Sequence, residues 1–168
     1  RLNLAWLIAA VATASLILAE WGWRNQPTAN FFLAPMRAWE LLSGSLCAIY
    51  LFDRKLRNND LLAAIGFGLI LFSVFAFSRS TPFPSLYALA PVLGTGLIIL
   101  FAGENTFVAR LLSTRVFVGL GLISYSAYLW HHPLFAFARV RGLYAPSPLL
   151  LLALSLAALV LAYFSWRF

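Results

Sequence analysis

Two stretches of this chain, Leu61 to Ser78 and Leu86 to Ala102, contain no charged residue. Each has the length of a membrane crossing, which takes about 17–25 helical residues. Four more apolar runs resemble them: Leu2 to Ala19, Leu33 to Phe52, Val116 to Ala138 and Leu149 to Trp166. In lipid a lone strand would leave its backbone N–H and C=O groups unpaired, so such runs are expected to be helices. Nothing has the short alternating pattern of an outer-membrane barrel. The expected fold is therefore all-α: a polytopic membrane helix bundle of about six transmembrane helices, with spans at about 2–19, 33–52, 61–78, 86–102, 116–138 and 149–166.

Composition closes off the alternatives. Of 168 residues, 62% are hydrophobic and 10% charged, against roughly 45–50% and 25% in soluble domains. A soluble chain of this size leaves too much of its area in water to hide that apolar content. A soluble enzyme, a disordered tail and a disulfide scaffold are excluded. The one cysteine, Cys47, lies inside an apolar run and reads as a small buried residue.

The formal net charge is +7, which in a soluble protein would suggest nucleic acid. Here the basic residues sit mostly between apolar runs, with no basic stripe interleaved with stacking aromatics, so no nucleic-acid partner is expected. Counted on alternate sides, one side receives Arg1, Arg54, Lys55, Arg57, Arg110, Arg115 and Arg167, and the other Arg24, Arg79, Arg139 and Arg141. That excess predicts a multi-pass protein with both ends of this chain in the cytoplasm. Trp21, Trp23 and Arg24 have the character of a lipid–water boundary. Asn25 to Asn30, Asp53 to Asp60, Arg79 to Pro84 and Ala145 to Pro148 read as loops or turns. The chain starts at Arg1 rather than Met and stops directly after an apolar run, so it is expected to be part of a longer protein.

Polar residues inside spans are the informative exceptions, since a charge at a helix centre is disfavoured by roughly 2.5–3.5 kcal/mol. Arg37 and Glu40 lie in the second run, three residues apart, so they share a helical face and can pair. They read either as a self-neutralising interfacial anchor or as a polar site facing the bundle interior. Glu40 is the sharper candidate, being deeper and able to take part in proton transfer where arginine cannot.

The fifth run holds Ser124, Tyr125, Tyr128, His131 and His132, followed by Pro133. Ser124, Tyr128 and His131 fall on one helical stripe, and Tyr125, Tyr128 and His132 on an overlapping one. Pro133 is expected to kink the helix. Polar residues gathered over a few turns of an apolar helix point towards a functional site more than to hydrogen-bonded core residues. Adjacent histidines project about 100° apart on a helix, and no cysteine cluster accompanies them, so no metal site is expected. Measured from Val116, His131 lies about 22 Å along its helix. The predicted topology puts it in the outer half with Arg37 and Glu40, and the four residues Arg37, Glu40, Tyr128 and His131 are expected to face one cavity open to the outside. The pairs Gly66/Gly68, Gly94/Gly96 and Gly119/Gly121 read as helix-packing positions rather than phosphate loops. The basic loops Arg54 to Arg57 and Arg110 to Arg115 need no cytoplasmic cofactor to explain them, since positive-inside charge suffices.

Two segments carry a family resemblance. One is Phe31-Phe32-Leu33-Ala34-Pro35-Met36-Arg37-Ala38-Trp39-Glu40-Leu41-Leu42-Ser43-Gly44, and the other is Gly121-Leu122-Ile123-Ser124-Tyr125-Ser126-Ala127-Tyr128-Leu129-Trp130-His131-His132-Pro133-Leu134. Their pattern, order and separation resemble the acyltransferase-3 family, the membrane O-acyltransferases of O-antigen and other envelope polysaccharides. His132 stands where the family often has tryptophan, which favours His131 as the functional histidine. The resemblance covers nearly the whole chain but only the later part of the family's domain. The family's principal histidine, on its first helix, and its second acidic motif lie upstream of the part seen here. The resemblance therefore implies that this piece depends on upstream helices of the same chain and is inactive alone.

What the resemblance implies about function is an acyl group, acetyl in the first instance, moved from a cytoplasmic acyl-CoA to a glycan hydroxyl, in a bacterial inner membrane. Acyl-CoA is then a donor substrate, no tightly bound cofactor is expected, and the partners are membrane lipids, the glycan acceptor and the donor. Acyl transfer needs a base for the acceptor hydroxyl and donors for the developing oxyanion. His131 is the candidate proton carrier or hydrogen-bond donor. Tyr125 and Tyr128 are candidates to hydrogen-bond the thioester carbonyl or the sugar, Ser124 to organise the site, and Glu40, paired with Arg37, to orient a histidine. A transporter or lipid-linked sugar flippase would use the same intramembrane residues, although the inverted repeats such proteins show are not visible in this sequence. A bundle whose polar residues only hold helices together is the third reading.

Overall fold

The computed structural model describes residues 2–53, 58–78, 81–141 and 147–168. Among these residues every regular element is helical: α1 (Leu2–Asn25), α2 (Pro27–Phe32), α3 (Ala34–Asp53), α4 (Asp60–Ala76), α5 (Leu89–Phe101, entered through a 3-10 turn at Leu86–Ala88), α6 (Phe107–Leu112), α7 (Arg115–Arg141) and α8 (Pro148–Arg167). All the apolar runs thus form helices. The segment holding Arg54, Lys55 and Arg57, together with Arg1, Arg79 and the start of the Ala145 to Pro148 turn, lies outside the described residues.

Two helical segments, Asn3–Asn25 and Pro148–Arg167, are both long enough and apolar enough to cross a membrane. Only 11% of each crossing window is buried. The core helix of a soluble protein would be mostly buried; these helices instead leave Trp6, Leu7, Leu149 and Leu152 exposed, an apolar surface suited to lipid. Asp60–Ala76 and Leu86–Phe101 are apolar but shorter. The 17 residues of α4 span about 25 Å at 1.5 Å each, a little under a hydrocarbon core of about 30 Å.

Helix ends follow local chemistry. The Asn59 side chain accepts from Leu62 N at 3.2 Å and starts α4. Ser147 does the same for Leu150 N at 3.2 Å, with Pro148 in the first turn of α8. Asp60 Oδ1 accepts from Phe107 N at 2.7 Å, tying the start of α4 to the start of α6. α1 runs beyond Ala19 because its polar end pairs internally: Arg24 Nη2 donates to Glu20 Oε1 at 2.6 Å and Asn25 Nδ2 to Trp21 O at 2.8 Å. The expected loop at Asn25 to Asn30 is instead the end of α1 and most of α2, since Pro27 suits a first helical turn.

The chain divides into two compact units, residues 1–110 and 111–168. In the first, α1 packs on α3, α4 on α5, and α3 also meets α5. Its core is Ala19, Met36, Trp39 and Ala88, with Ala12, Leu16, Leu89 and Val92 against it. α4 and α5 come together at two glycines: a Cβ on Gly94 would stand 2.6 Å from Gly66 O, and one on Gly66 would stand 2.6 Å from Gly94 O. Small residues here let two backbones nearly touch. The second unit is the α7–α8 pair. There the packing expectation for Gly119 and Gly121 does not hold, because a Cβ at either would meet nothing within 4 Å among the described residues. Gly68 behaves likewise. Pro133 lies inside α7, which continues through it to Arg141.

Candidate functional site

The first polar site is built at the start of α3. Ser15 of α1 inserts its hydroxyl there, donating to Pro35 O and accepting from Trp39 N at 3.1 Å. These are the carbonyl and amide four apart that an α-helix pairs directly, so a side chain of α1 enters the first turn of α3. Trp39 is 2% exposed and sits in the core of the unit. With Trp39 clamped on one side, neighbouring Glu40 becomes part of the wall of a cavity of about 540 Å3 between α3 and α5.

Arg37 Nη2 and Glu40 Oε2 are 3.5 Å apart, the pairing that their spacing predicts. The guanidinium also lies 5.6 Å from the Phe31 ring centroid and 5.8 Å from that of Phe83, within cation–π range. Arg37 is 42% exposed at its side chain and Glu40 only 19%. Glu40 Oε1 is buried and has no hydrogen-bond donor among the described residues. A buried carboxylate oxygen without a donor is disfavoured unless a ligand or water supplies one.

α7 carries the second polar cluster. Tyr128 lies 5.4 Å from His131 and 5.3 Å from His132, and the two imidazole centroids are 4.6 Å apart. Tyr128 is the member common to the two overlapping stripes, which is why its ring reaches both histidines. The imidazoles lie closer together than a 100° divergence suggests, because both lean on Tyr128. His131 Nδ1 is 3.2 Å from Ala127 O, and Phe135 is at 6.0 Å on its other side. With Nδ1 engaged by a backbone carbonyl, Nε2 is the nitrogen free for chemistry. Ser124 Oγ donates to Gly121 O at 2.7 Å, and Tyr125 is 72% exposed. α8 meets this helix through Trp130 Nε1, which donates to Ser165 Oγ at 2.8 Å.

The structure thus pairs Arg37 with Glu40 in the first unit and groups Tyr128 with His131 and His132 in the second. Ser124 and Tyr125 are turned to their own helix and to the outside. Sequence reasoning missed Ser15, Phe83 and the α3–α5 cavity. Ser15 had one visible signal, a small polar residue on the same face of an apolar run as Ala12 and Ala19.

Residues 1–167 match the family model described as an acyltransferase domain, and the chain belongs to the acyltransferase-3 family. No curated protein and no solved structure shows significant similarity to it.

Proposed function

We propose that this chain serves an integral membrane O-acyltransferase. It transfers an acyl group, in the first instance acetyl, from cytoplasmic acyl-CoA to a hydroxyl of an envelope polysaccharide or other glycan. Family membership over residues 1–167 carries this reading. The polar groups within apolar helices support it, since each has a place in acyl transfer and is disfavoured in lipid without one.

In the reaction the acceptor oxygen forms a bond to the thioester carbon, the carbon–sulfur bond breaks, and the acceptor proton passes through a base to the leaving thiolate. His131 carries or donates a proton through Nε2. Tyr128 and Tyr125 donate to the developing oxyanion or position the sugar, and Ser124 organises this helix face. Glu40, braced by Arg37, orients a histidine or the acceptor hydroxyl. The chain crosses a bacterial inner membrane about six times, with the more basic loops in the cytoplasm.

Deletion of the gene tests the reaction. O-acetyl groups on the envelope polysaccharide, measured by NMR of purified glycan, should disappear and return with the plasmid-borne gene. An unchanged acetyl content would overturn the proposal, and accumulation of an unmodified lipid-linked sugar on the inner face would point to a flippase.

A further inference from the structure

A hydroxyl inside an apolar helix commonly bonds the carbonyl four residues back on its own helix. Thr13, Ser43, Ser73 and Thr95 all do so, at 2.8, 2.7, 2.7 and 2.9 Å. Ser15 gives its one proton to another helix instead. Its hydroxyl donates to Pro35 O and accepts from Trp39 N at 3.1 Å, both on α3. Ser15 is buried, so bulk water does not compete for it.

Pro35 and Trp39 bracket Arg37, and Glu40 follows directly. An α-helix can pair that carbonyl and that amide with each other. The hydroxyl of α1 therefore supplies no bond that α3 lacks the means to make. What it supplies is registration, tying one turn of α3 to one turn of α1. The neighbouring contacts do not do this. The apolar core of Ala12, Leu16, Ala19, Met36 and Trp39 is held by a force without direction. Between helices in lipid, interhelical hydrogen bonds fix what such packing leaves free. The Arg37–Glu40 pair lies within α3, and the Phe31 and Phe83 rings face Arg37.

We propose that Ser15 is a positioning residue: its hydroxyl fixes the rotation of the first turn of α3 against α1, and with it the place of the Glu40 carboxyl. The inference rests on the transferase reading for what Glu40 does there. It rests on the Ser15 geometry alone for where Glu40 is held.

Ser15→Ala separates positioning from support. Without the hydroxyl, Pro35 O and Trp39 N still have each other, so no buried backbone group is left unpaired. The unfolding temperature should stay within about 3 °C of the parent. Transfer of labelled acetyl, in membranes carrying the protein as the cell makes it, should nevertheless slow about fivefold in kcat, because a small displacement of an orienting group is felt in the rate. KM for acetyl-CoA should not change. In a Glu40→Gln background the same change should slow transfer by less than about twofold, since the group it places is gone. A second readout needs no turnover. In protein labelled with 13C at the glutamate carboxyls, the resonance that Glu40→Gln removes should shift in Ser15→Ala, and the one that Glu104→Gln removes should stay. A larger fall in unfolding temperature would make Ser15 a structural support and overturn the proposal. So would a parent-like rate, an unmoved Glu40 resonance, or a fivefold loss that persists undiminished beside Glu40→Gln. Absence of transfer in the parent itself would overturn the transferase reading, and the Glu40 resonance then decides the positioning role by itself.

Discussion

The two polar regions are held in opposite ways. Around Arg37 and Glu40, side chains from several elements converge: Ser15 from α1, Phe31 from α2, and Phe83 from the segment before α5. Trp39 anchors the same turn in the core. Around His131, among the described residues, the hydrogen-bond and ring contacts come from α7 itself, through Ala127, Tyr128, His132 and Phe135. The first region is fixed by tertiary structure and the second by helical spacing. A carboxylate position fixed in this way suits orientation of a partner group, whereas an imidazole with Nε2 free suits proton movement. Under the proposed function the contrast becomes a division of labour, and substitutions can probe each side of it separately.

The largest effect is expected at the α4–α5 contact. Gly94→Val puts a branched side chain where a Cβ already meets Gly66 O at 2.6 Å. Backbone cannot yield as a flexible side chain does, so a loss of about 3 kcal/mol is expected, at the upper end of overpacking. Thermal unfolding of the purified protein measures it, and the loss should include the cavity wall that α5 supplies to Glu40. Next comes Ser165→Ala in the second unit. It removes the acceptor of Trp130 Nε1 and should destabilise the α7–α8 pair by about 1 kcal/mol. Hydrogen exchange should rise in α7 and α8 and stay unchanged in α1 and α3.

Phe83→Leu should do the reverse. It keeps apolar volume but takes one ring from beneath Arg37, a contact worth about 0.5–1 kcal/mol. Activity should fall about two- to fivefold, with no change in exchange at α7. The smallest effect is expected at Gly121→Ala, where a Cβ meets nothing within 4 Å among the described residues. Its unfolding should stay within about 0.5 kcal/mol of the parent. A large loss there would mean that the second unit is packed more extensively than its helix-local contacts indicate.

The same contrast explains what was legible in the sequence. Apolar run length located the helices, since lipid demands internally paired backbone whatever the side chains do. The Arg37–Glu40 pair and the two Tyr128 stripes follow from spacing along a single helix, so they needed no knowledge of neighbours. Ser15, Phe83 and the α3–α5 cavity depend on which helices meet, and no period in one segment encodes that. The glycines make the point most sharply. Gly66, Gly94 and Gly121 look alike in apolar helices, yet only the first two face another backbone. The short helix α2 was hidden by Pro27, which breaks helices inside and begins them at the end.

Transfer of labelled acetyl from acetyl-CoA to the envelope glycan, in membranes carrying the protein as the cell makes it, tests the central claim most directly. His131→Ala should lower the rate about 100-fold and Glu40→Gln about tenfold, at unchanged protein level and unfolding temperature. Rates equal to the parent in both variants would contradict the assignment of acyl-transfer chemistry to these two residues.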